Sequence, residues 1–124
     1  MSISNHPADI PLLGSHALDE ESAFLPEDLL TAVRKLRGIP EREVPPICIL
    51  EFDGDLTDSM AASGELLPFK SWACFHTAMF AGTLDGIAWG MVPRTIGGPY
   101  TVLVAEQLWA AGAKLIVGLS SAGR

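Results

Sequence analysis

Cationic side chains are scarce in this chain: eight Lys and Arg stand against fifteen Asp and Glu, for a formal net charge of −7 and a pI near 4.7. A protein that grips nucleic acid through its phosphates, or adheres to an anionic membrane, needs a surplus of Lys and Arg, so neither is expected as a partner. Cysteine is scarcer still. Cys48 and Cys74 each sit inside an apolar run, with no Cys-x-x-Cys spacing and no clustered His. Buried free thiols are therefore expected in place of a disulfide or a metal site, and with them a cytoplasmic location. No apolar run approaches the roughly 20 residues needed to cross a bilayer, and the opening MSISNHPADIPLLGSHALDEESAF lacks both the basic start and the apolar stretch of a signal peptide. Apolar residues are plentiful, 48% of a 124-residue chain. That length suits one domain and is too short for two, so a site must be built within one small core or completed by another chain.

Residues 1–24 mix Pro, Ser, His and acids without a helix or strand period and are expected to form an arm outside the core, open to disorder. LPEDLLTAVRKLRG then predicts an amphipathic helix: Pro26 at its start, Glu27 and Asp28 in its first turn, Leu29, Leu30, Val33 and Leu36 on one face, and Arg34, Lys35 and Arg37 before a stopping Gly38. After the linker IPEREVPP, Ile47 to Leu50 is a short continuous apolar run, as a central parallel strand covered on both faces requires. Asp53-Gly54-Asp55 turns the chain at the carboxyl end of that strand, and Thr57 or Asp58 is expected to cap a short helix through Met60, Ala61 and Ala62. Such strand ends are where open α/β sheets place ligands.

Further on, Asp85-Gly86 between AMFAG and IAWGMV predicts an antiparallel hairpin. GGPYTVLVAEQLWAAGAKLIVGLSSAG has the order of a glycine turn, Pro99 at a helix start, a helix to about Ala111, a stop at Gly112, a strand over Lys114 to Leu119 and a small-residue loop. The helix is apolar on most sides and is expected to pack tightly on the sheet. Ser120, Ser121 and Gly123, just past a strand expected to be buried, are positions from which donors reach an anion or a sugar. Arg124 follows at once, and two readings of the uncovered edge at Leu115 to Leu119 stay open: a partner supplies the missing layer, or the chain is the front part of a larger domain.

Two resemblances bear on the opening stretch ICILEFDGDLTDSM. EFDGDLTDS is similar to the Asp-x-Asp-Gly-Thr signature of haloacid dehalogenase phosphatases, with Glu51 at the place of the nucleophilic Asp and Asp53 at that of the general acid. Glu carries its carboxylate one methylene farther out, which displaces a nucleophile by about 1 Å and costs on the order of a hundredfold in rate.

The second resemblance spans roughly Ile47 to Gly123. An apolar strand, a Gly-Asp turn, a hairpin, IGGPYTVLVAEQLWAAGAK and LIVGLSSAG, in that order, look like the front half of the purine nucleoside and uridine phosphorylase family. It implies a three-layer αβα domain with a mixed sheet, incomplete at its C-terminal end. It also implies cleavage or binding of a nucleoside, inorganic phosphate as co-substrate with no other cofactor, and assembly as a homo-oligomer or with a separately encoded back half.

Carried residue by residue, the resemblance sets Gly54 and Asp55 beside phosphate, Ser120 and Ser121 against phosphate and ribose, and Ile96, Gly97 and Gly98 on the ribose side. Arg94 is the one nearby cation, and His76 falls on an expected strand near a subunit contact that runs over Phe69 to Phe80. The chain departs from the family at the phosphate clamp, with Asp58 and Val117 where it has arginines and Leu56 where it has a proline. Each charge-assisted bond lost there forfeits roughly 1.5–3 kcal/mol, so phosphorolysis gives way to hydrolysis or to binding without turnover.

Overall fold

The computed structural model describes residues 14–15 and 17–123. Most of the expected N-terminal arm lies outside them; residues 17–24 are exposed and in neither helix nor strand. The first element is α1 (Pro26–Arg37), begun by Leu25, whose N–H donates to the Asp28 carboxylate at 3.1 Å, and ended by Gly38 at φ 64°. Leu30 and Val33 are buried, Leu29 partly so, and Leu36 is exposed. The inward stripe is narrower than the sequence predicts.

Strand β1 (Ile47–Glu51) leads to α2 (Asp55–Ala62), the short strand β2 (Leu67–Pro68), β3 (Phe80–Leu84), β4 (Ile87–Pro93), α3 (Gly98–Ala110) and β5 (Leu115–Leu119). They form an α/β fold around one mixed, open sheet ordered β2-β3-β4-β1-β5. β1 lies between β4 and β5 and is parallel to both; β2, β3 and β4 pair antiparallel. The predicted central strand and hairpin are both present. The hairpin turns through Asp85 and Gly86 at φ 50° and 78°, the positive angles that a tight two-residue turn demands.

Because side chains alternate across a strand, Cys48 and Leu50 share one face with their partners Ile116 and Val92. That face meets the core cluster, to which α1 gives Leu30 and Val33, α3 gives Val104 and Leu108, and the segment after β2 gives Trp72, Ala73 and Cys74. Both cysteines are buried and free, as expected.

Ile47, Ile49 and Glu51 turn to the other face with Trp89, Met91, Leu115, Val117 and Leu119. α2 meets this face at one end, where Thr57 reaches Met91 and Glu51. Three sequence expectations are corrected here. β1 is well covered on one face only, β5 is an exposed edge strand and not a buried one, and Val102, Leu103 and Trp109 of α3 are exposed. Apolar composition records which side chains would gain from burial; it does not supply the layer that buries them. Among the described residues no helix is long and apolar enough to cross a membrane.

Candidate functional site

The three parallel strands end side by side. Glu51 is in register with Pro93 of β4 and with Leu119 of β5, the Thr95 N–H donates to the Glu51 carbonyl at 3.3 Å, and the Phe52 N–H donates to the Leu119 carbonyl at 3.0 Å. The loops that follow, 52–54, 94–97 and 120–123, therefore emerge at one edge of the sheet. Gly54, Asp55, Arg94, Ile96, Gly97, Gly98, Ser120 and Ser121 all stand on that edge, although they come from three separate stretches of chain. After β1 the chain turns to α2 on one face, and after β4 it turns to α3 on the other. A pair of neighbouring strands whose following helices part in this way opens a crevice at their carboxyl ends.

Glu51, the last residue of β1, is buried at this edge. Its carboxylate accepts the N–H of Leu56 at 2.7 Å, the N–H of Thr57 at 3.0 Å and the hydroxyl of Thr57. These are backbone donors of the first turn of α2, so the strand's own side chain occupies the positive end of the helix. The cap expected from Thr57 or Asp58 is supplied instead by Glu51, while Gly54 at φ 96° makes the turn into the helix. Asp53 is exposed, and no group of three or more His, Cys, Asp or Glu able to hold a metal occurs among the described residues.

Gly54 is buried with the side chain of Arg94 lying against it. A Cβ at Gly54 would stand 2.7 Å from Arg94 Cγ and 2.9 Å from its Cζ, so the close approach requires glycine. Arg94 itself is held at φ 59° and its guanidinium donates to the Asp58 carboxylate. That hydrogen bond and the Asp58 charge hold the Arg94 pKa above its ordinary value, with a smaller pull from Asp55 and Glu51. This cation is thus held among carboxylates. Both members of the pair are exposed and free to exchange partners.

The N-terminus of α3 opens onto the same edge through Gly97 at φ 94° and Gly98, with no side-chain cap and no acid in its first turn. Thr101 stays within the chain, its hydroxyl donating to the carbonyls of Gly97 at 2.8 Å and Thr95 at 3.4 Å. Ser120 and Ser121 are exposed, and the Ser120 hydroxyl donates to the Ser121 carbonyl at 3.2 Å.

His76 is not on a strand. It lies in an exposed bend, where its carbonyl accepts the Tyr100 hydroxyl at 3.1 Å and its ring centroid stands 6.4 Å from that of Tyr100. Partial burial pushes the Tyr100 phenol pKa up. Since Tyr100 belongs to the first turn of α3, His76 borders the same rim. Trp72, which the sequence reading placed at a subunit contact, is instead buried in the chain's own core and donates its indole N–H to Thr77.

A concave region also lies away from this edge. It is a groove of about 630 Å³ between residues 20–29 and the outward side of α3, lined by Phe24, Leu103, Trp109 and several glutamates. Glu51 as the cap of α2 and Arg94 at positive φ are the two features that sequence reasoning did not assign. A buried carboxylate at a strand end just ahead of a glycine turn could have signalled the first, and nothing in Pro93-Arg94-Thr95 signals the second. The chain finds no match among protein-family models, curated proteins or solved structures.

Proposed function

We propose that this protein binds a nucleoside-like small molecule at the carboxyl edge of β1, β4 and β5, and that it does so without phosphorolysis. The observation that supports this most directly is the shared strand register, which gathers Gly54, Arg94, Gly97, Gly98, Ser120 and Ser121 onto one rim. The reading includes the resemblance to the nucleoside phosphorylase family, a three-layer arrangement reached only once the exposed sheet face is covered, and a cytoplasmic setting. Ser120, Ser121 and the uncapped start of α3 offer donors to ribose hydroxyls, and His76 and Tyr100 border the space where a base would lie.

The argument against phosphate as acceptor is electrostatic. Glu51 already fills the N-terminus of α2, Asp58 holds the guanidinium of Arg94, and Asp55 adds a third negative charge. A phosphate brought to Gly54 meets three carboxylates and, in Arg94, a cation that Asp58 already holds, and like charges at such distances repel strongly unless screened.

Titration calorimetry of the full chain with inosine, adenosine and uridine, with and without phosphate, tests the reading. Heat of binding for at least one nucleoside is expected, weakened tenfold or more by Ser120→Ala and unaffected by phosphate. No binding of any of the three sinks the proposal. Base release that depends on phosphate would show that binding is right and the electrostatic argument wrong.

A further inference from the structure

The sheet face opposite α1 and α3 carries a continuous apolar surface that the nucleoside site does not use. Leu84, Ile87, Leu115, Val117 and Leu119 are 69, 53, 52, 42 and 42% exposed. A groove of about 350 Å³, walled by Ile47, Ile49, Leu84, Ile87 and Trp89 alone, runs beside the row that β5 presents. Parallel strands occur almost always with both faces covered, and here α2 covers only the end that holds Glu51 and Met91.

We infer that this face is where a second copy of the same chain docks, face to face, about a two-fold axis. The face carries its own complement. The apolar row Leu115, Val117 and Leu119 lies one strand away from the groove on the same surface, so a two-fold rotation sets each copy's row into the other's groove, as an isologous contact requires. Complete burial of the exposed portions of these side chains would remove at most about 600 Å² per copy, or about 1,200 Å² for the pair, the low end of the range of specific interfaces. No charged or hydroxyl side chain lines the groove to select a partner of different sequence, which is the composition of a homodimer core. The inference does not rest on the nucleoside reading and survives its failure.

Sedimentation equilibrium on the full chain tests it. The wild type is expected to move from the 13.2 kDa monomer toward twice that mass over a micromolar dilution series. Leu115→Lys and Ile87→Glu alter residues that are already half exposed, and each alone is expected to stay monomeric at concentrations where the wild type pairs. Mixed in equal amounts, the two variants are expected to pair again, because the mixed dimer replaces one of its two symmetric contacts by a Lys–Glu pair and keeps the other native. That rescue can occur only if both variants fold. Trp109→Glu, on the outward side of α3, leaves the pairing intact. A wild type that stays monomeric throughout overturns the inference. So does a dimer broken by Trp109→Glu and not by the two face variants, a mixture that fails to pair, or association that needs a protein of different sequence.

Discussion

Single residues decide how the carboxyl edge is built, and Glu51 is the clearest of them. Its two oxygens take the N–H groups of Leu56 and Thr57, so the buried charge is matched by helix donors. Glu51→Gln keeps the size but turns an amide NH₂ toward donors, leaving one of them unsatisfied. Such a loss costs about 1–3 kcal/mol, and urea unfolding followed by circular dichroism is expected to show a lower midpoint and an unfolding free energy smaller by that amount. An unchanged midpoint would mean that α2 does not depend on this carboxylate.

Cys48 gives a second expectation at the same scale. Desolvation by burial pushes its thiol from 9.0 to about 11. The folded chain therefore keeps a proton that the unfolded chain releases, and the contribution is complete below pH 9 and lost as pH rises from about 9 to about 11. The loss amounts to about 2 kcal/mol. Tyr100, whose pKa is also raised, acts in the same direction. Cys48→Ala should thus flatten the alkaline fall in stability without abolishing it, as urea midpoints measured from pH 8 to 11 will report.

At the scale of elements, what the sequence could disclose was local, and what it could not depended on neighbours far along the chain. α1, the hairpin at Asp85-Gly86, the strand at Ile47 and the Pro99 helix follow from period, turn chemistry and caps, all of which act within a few residues. The common edge shared by Gly54 and Ser120 follows from two strands that each end in a small-residue turn. The exposure of β5 and of Trp109 could not be read this way, because it depends on whether a third layer is present. Nor could the turn before α2 be read in full: Thr57 and Asp58 look like caps in sequence, yet the acceptor comes from the strand behind.

Gly54 ties that turn to β4, since its missing Cβ leaves room for Arg94. Gly54→Ala brings both a positive φ and a contact under 3 Å, and a loss of about 1–3 kcal/mol is expected. The methyl group also displaces Arg94 from Asp58. Side-chain NMR of the guanidinium should show the hydrogen bond broken in the variant and intact in Ser120→Ala.

The whole molecule sets two opposing terms against each other, an apolar sheet face that favours association and a net charge of −7 that opposes it. Burying that face contributes on the order of 25 cal/mol per Å², whereas the repulsion between two acidic copies acts over a distance that salt shortens from about 30 Å at 0.01 M to about 3 Å at 1 M. Association is therefore expected to strengthen as salt rises, the reverse of what a salt-bridged interface would do. Pairing also couples to folding, because a partner that binds only the folded chain raises its stability by mass action. The thermal midpoint should climb with protein concentration, climb further in 0.5 M sodium chloride, and show neither dependence in the Leu115→Lys variant. Differential scanning calorimetry at three concentrations and two salt levels separates the terms. A midpoint independent of concentration in both salts would mean that the exposed face stays wet in solution, and a midpoint that rises with concentration but falls with salt would place the contact on charged surface elsewhere.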